Sequence, residues 1–85
     1  MSSQSFNKGD IISCGIAVGI FERKDADVRN GHWVSIYALK SCDRLVQTEG
    51  RSNFHKATPE EVKWFKKVLA KNKLSYVDGK IISEF

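Results

Sequence analysis

Four side chains of the types that bind zinc are scattered along the chain: Cys14, His32, Cys42 and His55. A structural zinc site takes four such ligands and usually brings two of them close in sequence, as in Cys-x-x-Cys or His-x-x-x-His. The sequence contains no such pair. We therefore predict no metal site, and we expect both cysteines to be reduced and packed rather than joined in a disulfide.

Cys42, which lies between Ser41 and Asp43, is a candidate nucleophile. A catalytic cysteine needs a general base held beside it, and either histidine could reach Cys42 only through the fold. The sequence also lacks a phosphate-binding glycine motif and a His-Glu-x-x-His helix. We expect a protein without enzymatic activity and without a cofactor.

Two other groups of residues suit binding. Lys63, Lys66, Lys67 and Lys71 would share one face of a helix, where they could contact phosphates. Trp33, Tyr37 and Phe21 are aromatic side chains that could meet a base or a peptide. The ordinary alternative is that the lysines are simply solvated and the aromatic residues belong to the core.

The composition indicates one small globular domain over residues 1–85. Hydrophobic residues make up 41% of the chain and charged residues 28%, which is typical of a folded domain. The net charge is +4, and residues 59–73 carry five lysines against two glutamates. The sequence has no run of about 18 apolar residues and no signal-peptide pattern. These features predict a cytoplasmic protein with no membrane partner.

The first part of the chain indicates an antiparallel sheet over residues 8–50, after a flexible tail at 1–5. β-Branched residues favour strands near 10–14 and 16–23. The next strand, "HWVSIYALK", has two largely apolar faces and should pair with "DRLVQTEG". The segment "RSNFHK" has no clear period, so we interpret it as a connection from which Phe54 alone reaches the core.

The clearest local signal predicts a helix over residues 59–71. Thr58 is a typical N-cap, Pro59 suits the first helical position, and Glu61 completes a capping box. At about 100° per residue, the apolar side chains fall on the face opposite the lysines. Asn72 is a candidate for a left-handed residue at the end of the helix.

The final segment, 74–85, predicts either a strand or a hairpin around Asp78-Gly79. We expect the helix to cover the apolar face of the sheet. The side chains predicted to form this core are Ile12, Ile16, Val18, Ile20, Ile36, Leu45, Val46, Val62, Phe65, Val68 and Leu69.

Two parts of the sequence resemble known groups of proteins. The opening "KGDII", followed by "GIAVGIFE" and "HWVSIYAL", resembles the start of SH3-like barrels. The tail "ATPEEVKWFKKVLAKNKLSYVDGKII" resembles the closing segment of short uncharacterised proteins of gut bacteria and their phages. The resemblance implies an α+β fold: a small SH3-like, strongly bent antiparallel sheet or barrel with one C-terminal helix.

These observations favour a non-enzymatic accessory or adaptor protein, encoded by a phage or mobile element, that binds a host or phage macromolecule. A protein partner that contacts Trp33, Tyr37 and Phe21 is the first expectation. The alternative is a small basic nucleic-acid-binding protein that uses the lysine face of helix 59–71. The sequence does not indicate the oligomeric state.

Overall fold

The computed structural model describes residues 6–27 and 31–83. The predicted tail at 1–5, the last two residues and part of the loop before Gly31 lie outside these ranges. The described elements are β1 (Ile11–Ser13), β2 (Ala17–Lys24), β3 (His32–Leu39), β4 (Arg44–Val46), β5 (Gly50–Ser52), β6 (His55–Lys56), α1 (Pro59–Lys71), β7 (Leu74–Val77) and β8 (Lys80–Ser83). The fold is α+β, with antiparallel strands and one helix in the described part.

The first six strands form one antiparallel sheet. Its order is β4-β3-β2-β1-β6, and β5 also pairs with β3. The predicted pairing of "HWVSIYALK" with the strand after it is confirmed, since Ala38 lies opposite Leu45. The segment interpreted as a connection in fact contributes to both β5 and β6, so that interpretation was wrong, although Phe54 is buried as expected.

The sheet is strongly bent, and the path of the chain shows why. Strand β5 lies beyond β3 and strand β6 lies beyond β1, so in a flat sheet they would be about 19 Å apart. Only Asn53 and Phe54 connect them, and three residue steps reach at most about 11 Å. The two sides of the sheet must therefore curl towards each other. The described strands do not close into a barrel, which was one of the two predicted forms.

The inner face of the bend carries its own apolar cluster of Ile12, Phe21, Val34 and Phe54. Strict alternation along β3 would place Val34 beside Ile36 and Ala38. The pairing of β2 with β3 shifts register between Gly19 and Phe21, however, and Val34 packs on the inner face instead. A bulge of this kind moves the following side chains to the other face of the sheet.

The outer face is covered by helix α1 and by the hairpin that follows it. The apolar side chains packed between this face, the helix and the hairpin form a second cluster of Val18, Ile20, Ile36, Ala38, Phe65, Val68, Leu69 and Leu74. Phe65 and Leu69 are fully buried, as predicted for the apolar stripe of the helix. Trp64 packs only at the edge of the cluster, and its indole Nε1 donates a hydrogen bond to Asp43 Oδ1 at 3.1 Å.

The helix has the predicted bounds and the predicted N-terminal cap. Thr58 Oγ1 accepts the Glu61 N–H at 3.1 Å, and Glu61 Oε1 accepts the Thr58 N–H at 2.8 Å. The expected left-handed conformation of Asn72 is wrong, because Asn72 has φ −99°. The next residue, Lys73, takes the positive value of 58° and turns the chain into β7.

The last two strands form a separate two-stranded hairpin. Asp78 and Gly79 both have positive φ, at 49° and 77°, as a type I′ turn requires. The turn sits against Gly9, where a Cβ atom would lie only 2.6 Å from the Gly79 carbonyl oxygen. The Tyr76 hydroxyl also donates to the Gly9 carbonyl at 2.6 Å. These contacts hold the hairpin on the chain segment that precedes β1.

Candidate binding surfaces

Trp33 lies on β3 with two arginines beside its indole ring. The guanidinium carbons of Arg23 and Arg51 are 4.8 and 5.6 Å from the ring centroid, within the range of cation–π attraction. Arg23 also bonds to Glu49 at 3.0 Å, and Arg51 to Asp25 at 2.9 Å. A stacking ligand would therefore compete with two guanidinium groups, each of which already has an acidic partner.

Tyr37 borders an apolar groove at one end of the inner face, beside the turn between β1 and β2. We call this the mouth groove, and its volume is about 240 Å³. Its lining residues are Cys14, Ile16, Ala17, Val34, Tyr37, Leu39, Gly50, Arg51, Ser52 and Phe54. Arg51 is the one charged residue among these described lining residues, and its guanidinium is bonded to Asp25.

Ile16 stands at the rim of the mouth groove and is 72% exposed. We predicted that it would lie in the core, and this was wrong. The chain turns at Gly15, whose φ of 92° is in the left-handed region, and the turn directs the next side chain outwards. Ile16 is more exposed than any other large apolar side chain that the structure describes.

Phe21, which we predicted to contact a partner, does not line the mouth groove. Phe21 is buried in the inner cluster, where its ring lies 5.6 Å from Phe6 and 6.0 Å from His32, between ring centroids. His32 Nδ1 accepts a hydrogen bond from the Phe54 N–H at 3.3 Å. Burial, with a smaller effect of the nearby Lys24 charge, lowers the pKa of His32. The neutral ring is the form that accepts this bond.

The four predicted helix lysines are all exposed, but they face different neighbours. Lys66 Nζ lies 5.7 Å from the centroid of the Tyr76 ring. Lys71 Nζ lies on the other flank of the helix, 3.9 Å from Asp43 Oδ2. The four lysines therefore do not form one uniform charged surface.

A second concave surface runs along the side of helix α1 that carries Lys63 and Lys66. It consists of two overlapping concavities of about 420 and 540 Å³, and we call it the lysine groove. Its lining residues are Phe6, Asp10, Ile11, Lys56, Ala57, Pro59, Val62, Lys63, Lys66 and Tyr76. Lys56, which comes from β6, joins the two helix lysines here.

A polar network fixes the start of the helix against the sheet. Glu61 Oε2 accepts hydrogen bonds from the fully buried Ser13 hydroxyl, at 2.6 Å, and from Lys40 Nζ. Partial burial alone would raise the pKa of Glu61, but the bonds from Lys40, Ser13 and the Thr58 N–H lower it to about 2. The carboxylate is therefore charged at neutral pH and holds α1 to β1 and to the end of β3.

The four zinc-type side chains do not come together. Cys14 borders the inner cluster, Cys42 is exposed, His32 is buried and His55 is exposed. Within residues 6–27 and 31–83, no three histidine, cysteine or acidic side chains are grouped as metal ligands would be. Both cysteines are free thiols.

The sequence predicted Tyr37 of the mouth groove and Lys63 and Lys66 of the lysine groove, but it missed other residues that build the two grooves. Gly15 within the apolar run "CGIAVGIF" was the available signal for the turn that exposes Ile16, since an isolated glycine in a strand pattern often marks a break. Gly50 had no signal; a Cβ there would lie 2.7 Å from the Tyr37 ring, so this ring packs directly on the glycine backbone. Lys56 was missed because β6 has only two residues.

No helix in the described part of the chain has the length and apolarity needed to cross a membrane. Comparison with known proteins gives no match: no protein-family model, curated protein or solved structure matches the chain.

Proposed function

We propose that this protein is a non-enzymatic adaptor that binds a partner protein through the mouth groove. The observation that carries the proposal is the exposure of Ile16 at the rim of an apolar groove. Fully covering an isoleucine side chain contributes about 1.5–3 kcal/mol. A partner that covers Ile16 gains this free energy, and the folded core does not use it.

The groove fits an apolar segment with an acidic residue beside it. Arg51 is one of the residues that line the groove. Arg44 is the cross-strand partner of Leu39, which also lines it, so the two arginines flank the same apolar surface. No acidic side chain is among the described lining residues. An isoleucine- or leucine-sized side chain would enter between Ile16 and Tyr37, and a carboxylate next to it would bond to the guanidinium of the exposed Arg44.

The resemblance to SH3-like domains supports a peptide partner, because those domains bind peptides in aromatic grooves of a bent sheet. In this proposal Tyr37 is the aromatic wall of the groove, and Trp33 stabilises Arg51 from outside it. The further proposal that the partner is a host or phage macromolecule depends on the resemblance of the tail "ATPEEVKWFKKVLAKNKLSYVDGKII".

Selection from a library of random displayed peptides tests this function. The immobilised protein should enrich sequences in which an apolar residue lies next to an acidic one. Titration of isotope-labelled protein with an enriched peptide should shift the amides of Ile16, Leu39 and Arg51. Enrichment of peptides that shift none of these amides would contradict the proposal, and so would a failure to enrich any sequence.

Nucleic-acid binding through Lys63, Lys66, Lys67 and Lys71 is the second candidate function. The observation in its favour is that Lys56 adds a further positive charge beside Lys63 and Lys66. Binding that neutralises several phosphates weakens steeply as salt rises, whereas binding in an apolar groove depends little on salt. Titration with short oligonucleotides at low and physiological salt separates the two candidates.

A further inference from the structure

The lysine groove has a feature that a solvated lysine face lacks: an apolar floor. Pro59 and Val62 of the helix and Ala57 before it line the part between the lysines. Ile11 of β1 extends this floor at the other end. Val62 is only partly buried by the fold, so a ligand would cover apolar surface as well as meet charge.

The charge at the rim is positive. Lys56, Lys63 and Lys66 line the groove, and Asp10 is the one acidic side chain among its described lining residues. Tyr76 does not weaken this charge, because burial raises the pKa of its phenol and its hydroxyl remains protonated as it donates to the Gly9 carbonyl. The groove is therefore complementary to a negatively charged ligand.

The apolar floor favours a protein ligand over a nucleic acid. A phosphate backbone would satisfy the lysines but would leave the accessible apolar surface of Pro59 and Val62 uncovered. Bases could cover apolar surface only by stacking, and Lys66 already lies over the ring of Tyr76, one of the two aromatic residues that line the groove. A peptide supplies carboxylates for the rim and aliphatic groups for the floor together.

The lysine groove is also separate from the mouth groove. The two share no lining residue, and the residues near β1 that line them pack on different clusters: Ile11 against the cluster of the outer face and Cys14 against the inner cluster. A ligand in one groove does not occupy the space of a ligand in the other.

We propose that the lysine groove binds a second protein segment, in which aliphatic residues are flanked by acidic ones, while the mouth groove holds the first. The adaptor then joins two protein segments side by side across one bent sheet. Binding in the lysine groove should weaken with salt more than binding in the mouth groove, because three lysines contribute to the first and one arginine contact contributes to the second.

A short capped peptide with a central valine–isoleucine pair flanked by glutamates is the probe. Added to isotope-labelled protein, it should shift the amides of Ala57, Val62 and Lys66. Replacing Lys63 and Lys66 by glutamine should weaken binding by roughly tenfold, because two rim charges are lost. The matched control replaces Lys67 and Lys71 by glutamine, which removes the same charge from the same helix outside the groove, and should weaken it by less than about twofold.

Two further comparisons decide the nature of the site. A peptide with serines in place of valine and isoleucine should bind more weakly than the probe. Equal binding of the two peptides would overturn the proposal, because the lysines would then act as a solvated charged face. The proposal would also be overturned, in favour of a nucleic-acid surface, if single-stranded oligothymidylate shifted the same amides and displaced the peptide. The absence of any amide shift with the peptide would overturn it as well.

The outcome is independent of the function proposed for the mouth groove. In the Ile16→Ser variant the glutamate-flanked probe should still shift the amides of Ala57, Val62 and Lys66 as it does in the parent protein, because Ile16 lies outside the lysine groove. If Ile16→Ser removed the shifts at Ala57, Val62 and Lys66, the probe would be acting through the mouth groove and the second site would be refuted.

Discussion

The two faces of the sheet differ in how completely their apolar side chains are covered. The outer face is sealed by helix α1 and the final hairpin, and its cluster includes the fully buried Phe65 and Leu69. The inner face has a buried centre around Ile12 and Phe54 but ends in the mouth groove, where Ile16 is 72% exposed. The outer face buries the centre of its cluster completely, whereas the inner face leaves the large side chain of Ile16 in water.

This difference suggests a division between stability and binding. A small domain has little apolar surface to spare, so most of it should be buried. The outer face follows that rule, and the hydrogen bonds of Glu61 also connect the helix to the sheet. The mouth groove departs from it, so substitutions there should affect ligand binding more than the free energy of unfolding.

The largest effect should come from Phe65→Ala on the sealed face. The side chain is fully buried, and its loss leaves a cavity, so the free energy of unfolding should fall by about 3–5 kcal/mol. Urea denaturation followed by tryptophan fluorescence measures this. A loss below about 1 kcal/mol would mean that the outer face is not the stabilising one.

Glu61→Gln should have the next largest effect and should change how stability depends on pH. The lowered pKa of Glu61 means that its stabilisation is complete above about pH 4.5 and is lost as pH falls towards 2. At neutral pH the variant should lose about 1–3 kcal/mol, because Ser13 and Lys40 lose a charged acceptor.

Between pH 4.5 and 2, the stability of Glu61→Gln should fall less steeply than that of the parent. Glu60→Gln is a matched control, since Glu60 is exposed on the first turn of the same helix. Equal acid dependence in parent and Glu61→Gln would show that the network does not fasten the helix.

Gly50→Ala should disturb the mouth groove more than the fold. The added methyl group would lie 2.7 Å from the Tyr37 ring, so the ring must move away from β5. We expect a stability loss of about 1 kcal/mol, together with large shifts of the Tyr37 ring resonances and weaker binding of mouth-groove peptides. Unchanged ring resonances would show that Tyr37 does not pack as described.

Ile16→Ser should have the smallest effect on stability, within about 0.5 kcal/mol, because the side chain is already in water. Thermal unfolding measures this difference. A loss similar to that of Phe65→Ala would mean that Ile16 is a core residue, as the sequence pattern predicted, and the contrast between the two faces would disappear.

The sequence predicts the elements with local signals far better than those set by long-range pairing. Thr58, Pro59 and Glu61 define the helix start, and Asp78-Gly79 defines the last hairpin, because each signal acts within a few residues. The short strands β5 and β6 have no such signal, since they form only where the bent sheet brings β3 and β1 near one chain segment.

The candidate sites were harder to predict for the same reason. The lysines of the helix could be found from periodicity alone, but Lys56 joins them only through the pairing of β6 with β1. The register shift in β3 separates Val34 from Ile36, and no local pattern marks it. The mouth groove depends on this shift and on the turn at Gly15. The apolar residues around Gly15 fit a strand pattern, and we therefore predicted that Ile16 lies in the core.

The most direct test of the central claim compares the affinity of one selected mouth-groove peptide for Ile16→Ser and for Ile82→Ser. Both variants lose an exposed isoleucine, but Ile82 lies on β8, away from the groove. We predict that Ile16→Ser weakens binding by about tenfold or more and that Ile82→Ser leaves it within about twofold. Equal affinities for the two variants would contradict the assignment of the mouth groove as the binding surface.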